Sequence, residues 1–349
     1  MFKNPILMAL LSAMLFGAAT PASKLLLQGF TPFQLAGLLY LGAAIAVAPA
    51  ALKSGGFALP RRGDHRNQLR LLGAILFGGI LGPVALLFGL RLAEASSVSL
   101  WLNLEMAATA VIGVVLFRDH LGYRGWLGVA AAMLASVLIA WHPGSAGFFS
   151  GLLVLLACVC WGLDNHFTAL IDGITPSQSA FWKGIIAGTV NFSIGATLAP
   201  ISVDAQVLVI ALFVGALSYG ASIVFYIRAA QKLGATRAQV LFSSAPFFGV
   251  ALSVIVVGES LSIMYLIAIP IFLFGAAFLL MENHAHAHSH DVLTHEHFHR
   301  HDDDHHTHVH PDLPASVQHT HQHTHEAVRH SHAHWPDIHH RHKHSHDKE

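Results

Sequence analysis

Long apolar stretches, each about 20 residues and so long enough to cross roughly 30 Å of hydrocarbon as a helix, recur from the start of the chain to residue 281. They fall at 5–27, 32–52, 69–90, 95–117, 123–141, 150–171, 176–199, 205–229, 236–257 and 261–281, ten in all. The stretches are rich in Ala, Leu and Gly and lack the alternation of an outer-membrane barrel, so each is read as a helix. Turn residues punctuate the connections, as in Gly29–Pro32, His142–Gly147 and Ala199–Asp204. Past Met281 the apolar pattern stops, and His alternates with other residues to the end of the chain.

Composition divides the chain the same way. Of 349 residues 54% are hydrophobic and 11% charged, which excludes a single water-soluble globule. Residues 1–283 carry 14 Lys/Arg against 9 Asp/Glu and 4 His, whereas residues 284–349 carry 5 against 10 and 24 His. A nucleic-acid partner is disfavoured, because no basic stripe accompanies a soluble fold. Cys158 and Cys160 lie in an apolar run and offer no disulfide framework.

The bases also set an orientation. With a cytoplasmic N-terminus, inside loops hold eleven bases (Lys3; Lys53, Arg61, Arg62, Arg66 and Arg70; Arg118 and Arg124; Arg228, Lys232 and Arg237), and outside loops hold Lys24 and Arg91. Both termini are therefore expected in the cytoplasm, and a bacterial inner membrane is the expected location. Lys3, the first apolar run and the small residues of Ala18–Ser23 also resemble a cleavable signal peptide. The internal repeat argues against that reading.

That repeat pairs Phe16–Gly17 with Trp161–Gly162. It pairs Leu104–Glu105–Met106 with Ser244–Ala245–Pro246, and Phe117–Arg118–Asp119–His120–Leu121 with Val257–Gly258–Glu259–Ser260–Leu261. Each half holds five segments, and an odd count sends the second copy into the bilayer upside down. The charge bias of matching loops reverses between the halves, as inversion requires. On these motifs residues 5–281 resemble the EamA family of the drug/metabolite transporter superfamily. The departures are Met106, where proline is common, and Phe117–Arg118–Asp119, where Gly-Glu is common. The resemblance implies ten helices around a central cavity and movement of small metabolites, often outward.

The expected fold class is thus an all-α integral membrane protein of ten transmembrane helices in two inverted five-helix repeats, with a disordered His-rich C-terminal tail. The expected boundaries are 1–145, 146–283 and 284–349.

Charge at membrane depth costs at least about 2.5–3.5 kcal/mol on insertion scales and calls for a partner or a watery cavity. Glu105, near the middle of the fourth segment, is the clearest case, with Trp101 one turn earlier and Asn103 close by. Asp164 follows, with Asn165 and His166 beside it; Thr168 shares the Asp164 face, while His166 points away. Lys183 lies about a third of the way into the seventh segment. Two readings stand. Lys183 neutralises Asp164 or Glu105 and ties helices together, or these groups line a pathway in which a carboxylate holds a coupling proton or a substrate amine. Tyr40, Tyr219 and Tyr226 suit the cavity or ordinary packing. Gly78–Gly82 and Gly184–Gly188 have small-xxx-small spacing and are read as structural. Pro21, Pro83, Pro246 and Pro270 should kink or open their helices. Lys24 and Arg91, near segment ends, are expected to snorkel to the interface.

In the tail the candidate metal ligands are His284, His286, His288, His290, His295, His297, His299, His301, His305, His306, His308, His310, His319, His321, His323 and His325. Neutral imidazole suits Zn, Ni and Cu, and without cysteine such a tail acts as a labile multi-site buffer. His295-Glu-His-Phe-His299 satisfies H-E-x-x-H, but in so dense a histidine segment the match is expected by chance. The chain carries no Walker A sequence, which disfavours direct ATP-driven pumping.

The reading that follows is a non-enzymatic secondary transporter, an exporter of a small organic metabolite by alternating access, with no required cofactor. Its expected partners are the lipid bilayer, a small-molecule substrate and divalent metal ions at the tail, with a homodimer left open. The alternative makes Zn, Ni or Co the cargo, collected or delivered by the tail.

Overall fold

A computed structural model describes residues 4–117, 122–140, 147–171, 173–233, 241–242, 244–261 and 263–280 of the body, and 285–289, 293–299, 319–325 and 329–333 of the tail. Its helices are α1 (Pro5–Leu26), α2 (Pro32–Lys53), α3 (His65–Leu92) and α4 (Ala95–Phe117), then α5 (Tyr123–Ala140), α6 (Gly147–Ala169) and α7 (Pro176–Leu198). After these come α8 (Ala205–Tyr226), which runs on through Ser222–Leu233, α9 (Ala245–Val257) and α10 (Ile263–Leu280). Among the described residues six of them, α1 to α4, α6 and α8, are long and apolar enough to cross a membrane. Part of the ninth expected segment and the acidic turn at Asp119 lie outside the described residues.

Local chemistry explains where the helices begin. Asn4 accepts from the backbone of Ile6 and Leu7, with Pro5 at the first helical position, where a missing N–H costs nothing. Thr31 and Gln34 form a capping box at the start of α2, and Thr175 and Gln178 form another at the start of α7. Each box also reaches the far end of the other helix. Gln34 Nε2 donates to the carbonyls of Gly195 and Ala199, and Gln178 Nε2 donates to those of Ser54 and Gly56. Helices α2 and α7 therefore run antiparallel, start against end. Gly184 and Gly188 let them touch: a Cβ there would lie 2.9 Å from the Tyr40 carbonyl and 2.8 Å from the Leu41 nitrogen. Their small-xxx-small spacing is structural, as expected.

The remaining packing repeats between the halves. Helix α3 packs on α6 as α8 packs on α1, α4 on α6 as α9 on α1, and α2 on α8 as α7 on α3, while α5 packs on α10 and α4 on α9. Both α3 and α8 contain a π-helical segment, Ala74–Leu81 and Ala216–Ala221. The core runs through the middle of this arrangement, with Leu35, Leu39, Leu87, Leu90, Val98, Trp101 and Val154 fully buried.

The tail is described in four short segments only. Four short strands pair antiparallel, β1 (Ala285–Ser289) with β4 (Arg329–Ala333) and β2 (Leu293–His299) with β3 (His319–His325). A His-x-His alternation has the two-residue period of a strand, and that periodicity suits ladder pairing without an apolar core. Of the predicted ligands, His284, His290, His301, His305, His306, His308 and His310 lie outside the described residues.

Candidate functional site

The π-segment of α3 organises the centre of the bundle. The N–H of Gly82 bonds to the carbonyl of Phe77, five residues back, rather than to Gly78. Pro83 has no N–H for the carbonyl of Gly79. Two carbonyls that a regular helix would occupy are thus free at membrane depth, where each must find a donor. Tyr40 Oη donates to the Gly78 carbonyl at 2.5 Å and Trp161 Nε1 to the same oxygen at 3.1 Å. Asn191 Nδ2 donates to the Gly79 carbonyl at 3.1 Å. Donors from α2, α6 and α7 so converge on one turn of α3.

The ionisable groups sit beside this turn. Lys183 of α7 donates to both carboxylate oxygens of Asp164 on α6, at 2.6 and 2.9 Å. Thr168, one turn along α6, donates to Asp164 Oδ1 at 2.9 Å. The carboxylate fits because residue 78 is glycine: a Cβ there would overlap Asp164 Oδ2 and Cγ. Gly78 thus makes room for a charge as well as for helix packing. Glu105 has a different partner. Asn165 Nδ2 donates to Glu105 Oε1 at 3.0 Å and to Thr109 Oγ1 at 3.3 Å. Adjacent residues of α6 therefore carry two polar networks, one toward α7 and one toward α4.

Four aromatic rings meet edge to face or tilted. Phe16 of α1 stands 6.4 Å from Trp161 and 5.8 Å from Tyr219, and Tyr40 stands 5.5 Å from Tyr219. Phe16 and Trp161 occupy matching places in the sequence repeat, and the fold brings the two copies into contact.

The other predicted site residues make further contacts of their own. Trp101 is buried in the α4–α6 packing, its ring 3.7 Å from where a Cβ on Gly151 would stand. Asn103 donates to the Leu100 carbonyl of its own turn at 3.0 Å. His166 turns away from Asp164, as its position on the helix requires, bonds the Thr109 carbonyl at 3.0 Å and stacks on Phe117 at 4.4 Å. Among the described residues no group of three or more His, Cys, Asp or Glu is assembled to hold a metal.

Lys24, read as an interfacial cation, donates to the Leu90 and Ala93 carbonyls, at 2.9 and 2.6 Å, and closes the end of α3. A cation there meets the negative end of the helix dipole. Nearby, Glu259 accepts from the backbone N–H of Ala95 at 2.7 Å and of Ser96 at 2.8 Å, so the acidic turn of the second half caps α4 of the first. A groove of about 720 Å³ lined by Pro21, Leu25, Gln28, Asp204, Val207 and Leu252 shares no residue with the ion pair.

Residues 3–141 and residues 149–281 each match the EamA-like transporter family, so the chain belongs to that family. It is a membrane transporter and not an enzyme. The chain is 23% identical to an uncharacterized transporter of Methanothermobacter thermautotrophicus, over 71% of this chain and 78% of that one. It is 27% identical to the uncharacterized transporter YdfC of Bacillus subtilis, over 67% and 80%. A similar relative in Clostridium kluyveri is 22% identical over 78% and 92%. One crystal structure shares the fold with a TM-score of 0.55 at 18% identity, covering 78% of this chain and 95% of that one.

Proposed function

We propose that the chain is a secondary transporter that exports a small organic solute by alternating access, with Glu105 and the Asp164–Lys183 pair in its pathway. The observation that carries this is the pair of polar networks on consecutive residues of α6. A carboxylate already neutralised by Lys183 and a second that accepts from an amide offer two unequal sites. The Asp164–Lys183 pair is poised to exchange partners with a zwitterionic or amine-bearing solute, and Glu105 is suited to a coupling proton. The aromatic rings of Phe16, Tyr40, Trp161 and Tyr219 supply apolar walls.

Ten spans in two inverted five-helix halves are part of the same reading. The antiparallel course of α2 and α7, which hold equivalent places in the two halves, supports it, as do the matching π-segments. The basic loops support a reading with both termini in the cytoplasm, in a bacterial inner membrane. The His-rich tail is then a cytoplasmic store for zinc, nickel or copper. The divalent-cargo alternative finds no assembled site among the described residues.

The test compares spent medium from cells making the wild-type chain, Glu105→Gln, Asp164→Asn or no chain, analysed by mass spectrometry for small organic solutes. A solute that accumulates outside with the wild-type chain, and less with either variant at equal expression, supports the proposal. Wild-type accumulation by both variants overturns the pathway assignment, and identical media in all four cultures overturn export.

A further inference from the structure

We infer that the connection between α2 and α3 is a binding site for anionic lipid, in which Lys53, Arg62 and Arg66 hold the headgroup of a phosphatidylglycerol-type lipid whose acyl chains lie along α3. Such a site requires only that the chain lies in a bilayer, whatever solute it carries. Residues 53–70 hold five bases, Lys53, Arg61, Arg62, Arg66 and Arg70, and one acid, Asp64. That acid is already engaged, accepting from the Asn67 backbone N–H at 3.1 Å and from its side-chain amide at 2.6 Å. Arg70 turns inward and donates to Asn67 Oδ1 at 2.9 Å and to the Leu170 carbonyl at 2.6 Å. Lys53, Arg62 and Arg66 are exposed, and none of the three meets an acid or a hydrogen-bond acceptor among the described residues. Two guanidinium forks and an ammonium are thus left facing outward, and the oxygens of a phosphodiester match that donor set.

The fold holds these cations in place. Gln178 Nε2 donates to the Ser54 and Gly56 carbonyls at 3.2 and 2.8 Å, and Trp182 Nε1 to the Ala58 carbonyl at 3.1 Å. Phe57 stacks on Phe181 at 4.1 Å. The connection is therefore tied across the start of α7, and its far end is closed by Gln68 Nε2 on the Arg61 carbonyl at 3.0 Å. A tethered loop loses little freedom on capturing a ligand.

Depth and surface pattern select a lipid over a soluble anion. Helix α3 has 28 residues, about 42 Å at 1.5 Å per residue, against roughly 30 Å of hydrocarbon. Its polar first turn, His65-Arg-Asn-Gln, therefore reaches the headgroup layer. One exposed stripe of α3 reads Arg66, Leu69, Leu72 and Leu76, with Leu69 65% and Leu72 58% exposed. The end of α2 has the same order, with Ile45 and Leu52 exposed and then Lys53. Stripes that are apolar along the helix and cationic at its end fit acyl chains and a phosphate in that sequence. An acidic peptide would use the charges and leave the leucines uncovered.

The test titrates the full chain in detergent micelles with phosphatidylglycerol or phosphatidylcholine of the same acyl chains, and counts bound lipid by native mass spectrometry. The wild-type chain should bind phosphatidylglycerol more tightly. A cation beside anionic headgroups contributes about fivefold in affinity. Lys53→Gln, Arg62→Gln and Arg66→Gln should therefore each weaken phosphatidylglycerol about fivefold, and the triple variant on the order of a hundredfold, with phosphatidylcholine unchanged throughout. Arg91→Gln, which removes an exposed cation from the far end of α3, should alter neither lipid. Equal affinity of the wild type for the two lipids, or a triple variant that keeps wild-type affinity for phosphatidylglycerol, overturns the inference. A loss with Arg91→Gln as large as that with Arg62→Gln makes the effect one of net charge and overturns the site. Displacement of phosphatidylglycerol by an equal concentration of inorganic phosphate overturns the assignment to lipid.

Discussion

Gly78→Ala probes the centre of the bundle most directly. The new Cβ would overlap the Asp164 carboxylate and stand 2.7 Å from the Asp164 Cβ, where carbon atoms are comfortable at about 3.5–4.0 Å. Either α3 and α6 part, or the carboxylate leaves its 2.6 Å contact with Lys183. Overpacking alone costs about 1–3 kcal/mol. A Lys183 ammonium stripped of its partner raises the loss toward the about 3–5 kcal/mol of a broken buried pair. The expected destabilisation therefore lies between about 1 and 5 kcal/mol, taking the lower bound from overpacking and the upper from the broken pair. It can be read by reversible unfolding in mixed micelles of mild detergent and dodecyl sulfate. A double-mutant cycle isolates the cause, since Asp164→Gly removes the three atoms nearest the new Cβ. In that background Gly78→Ala should cost about 1–3 kcal/mol less than in the wild type. Equal costs in the two backgrounds, or a Gly78→Ala protein as stable as the wild type, would refute the reasoning.

Three further outcomes follow from the same geometry. Glu259→Gln leaves one oxygen for the two N–H groups of Ala95 and Ser96; it should cost about 1–3 kcal/mol in the same unfolding assay. Thr31→Ala removes the cap of α2 and should cost about 0.5–2 kcal/mol, with faster amide exchange confined to the first turn. The third concerns pH. Burial alone would push Asp64 up, but the side-chain and backbone N–H groups of Asn67, with Arg70 nearby, outweigh it and hold the carboxyl below its usual value. A depressed folded value means that the cap contributes fully above the ordinary carboxylate range and loses its contribution as pH falls through the folded value. Protection factors at the start of α3, which take out the intrinsic pH dependence of exchange, should fall over that acidic window, and Asp64→Asn should abolish the fall. A variant that keeps the wild-type pH profile would contradict the assignment.

Much of the site was legible in part. Glu105, Asp164 and Lys183 stand out because charge in an apolar segment needs a reason, and the helical period put Thr168 with Asp164 and His166 elsewhere. Which carboxylate Lys183 meets was not legible, because both lie on other helices. Tyr40, Trp161 and Asn191 acquire their roles only from carbonyls that the π-segment and Pro83 release. Asn191 could have been flagged as a polar residue in an apolar segment. A signal for helix geometry was also present: Thr31-Pro32-Phe33-Gln34 and Thr175-Pro176-Ser177-Gln178 are the same capping box at matching places in the two halves.

Hydrophobic length and loop composition, which act locally and along one dimension, were enough to mark a helical membrane protein and the doubling of the chain. The cost of exposing backbone in lipid leaves little alternative to a helix, so no tertiary information is needed for that step. Pairing was decided only in three dimensions. Lys183 joined Asp164, Glu105 joined Asn165, and Lys24 turned back to helix carbonyls, because those partners depend on which faces come within about 3 Å of one another.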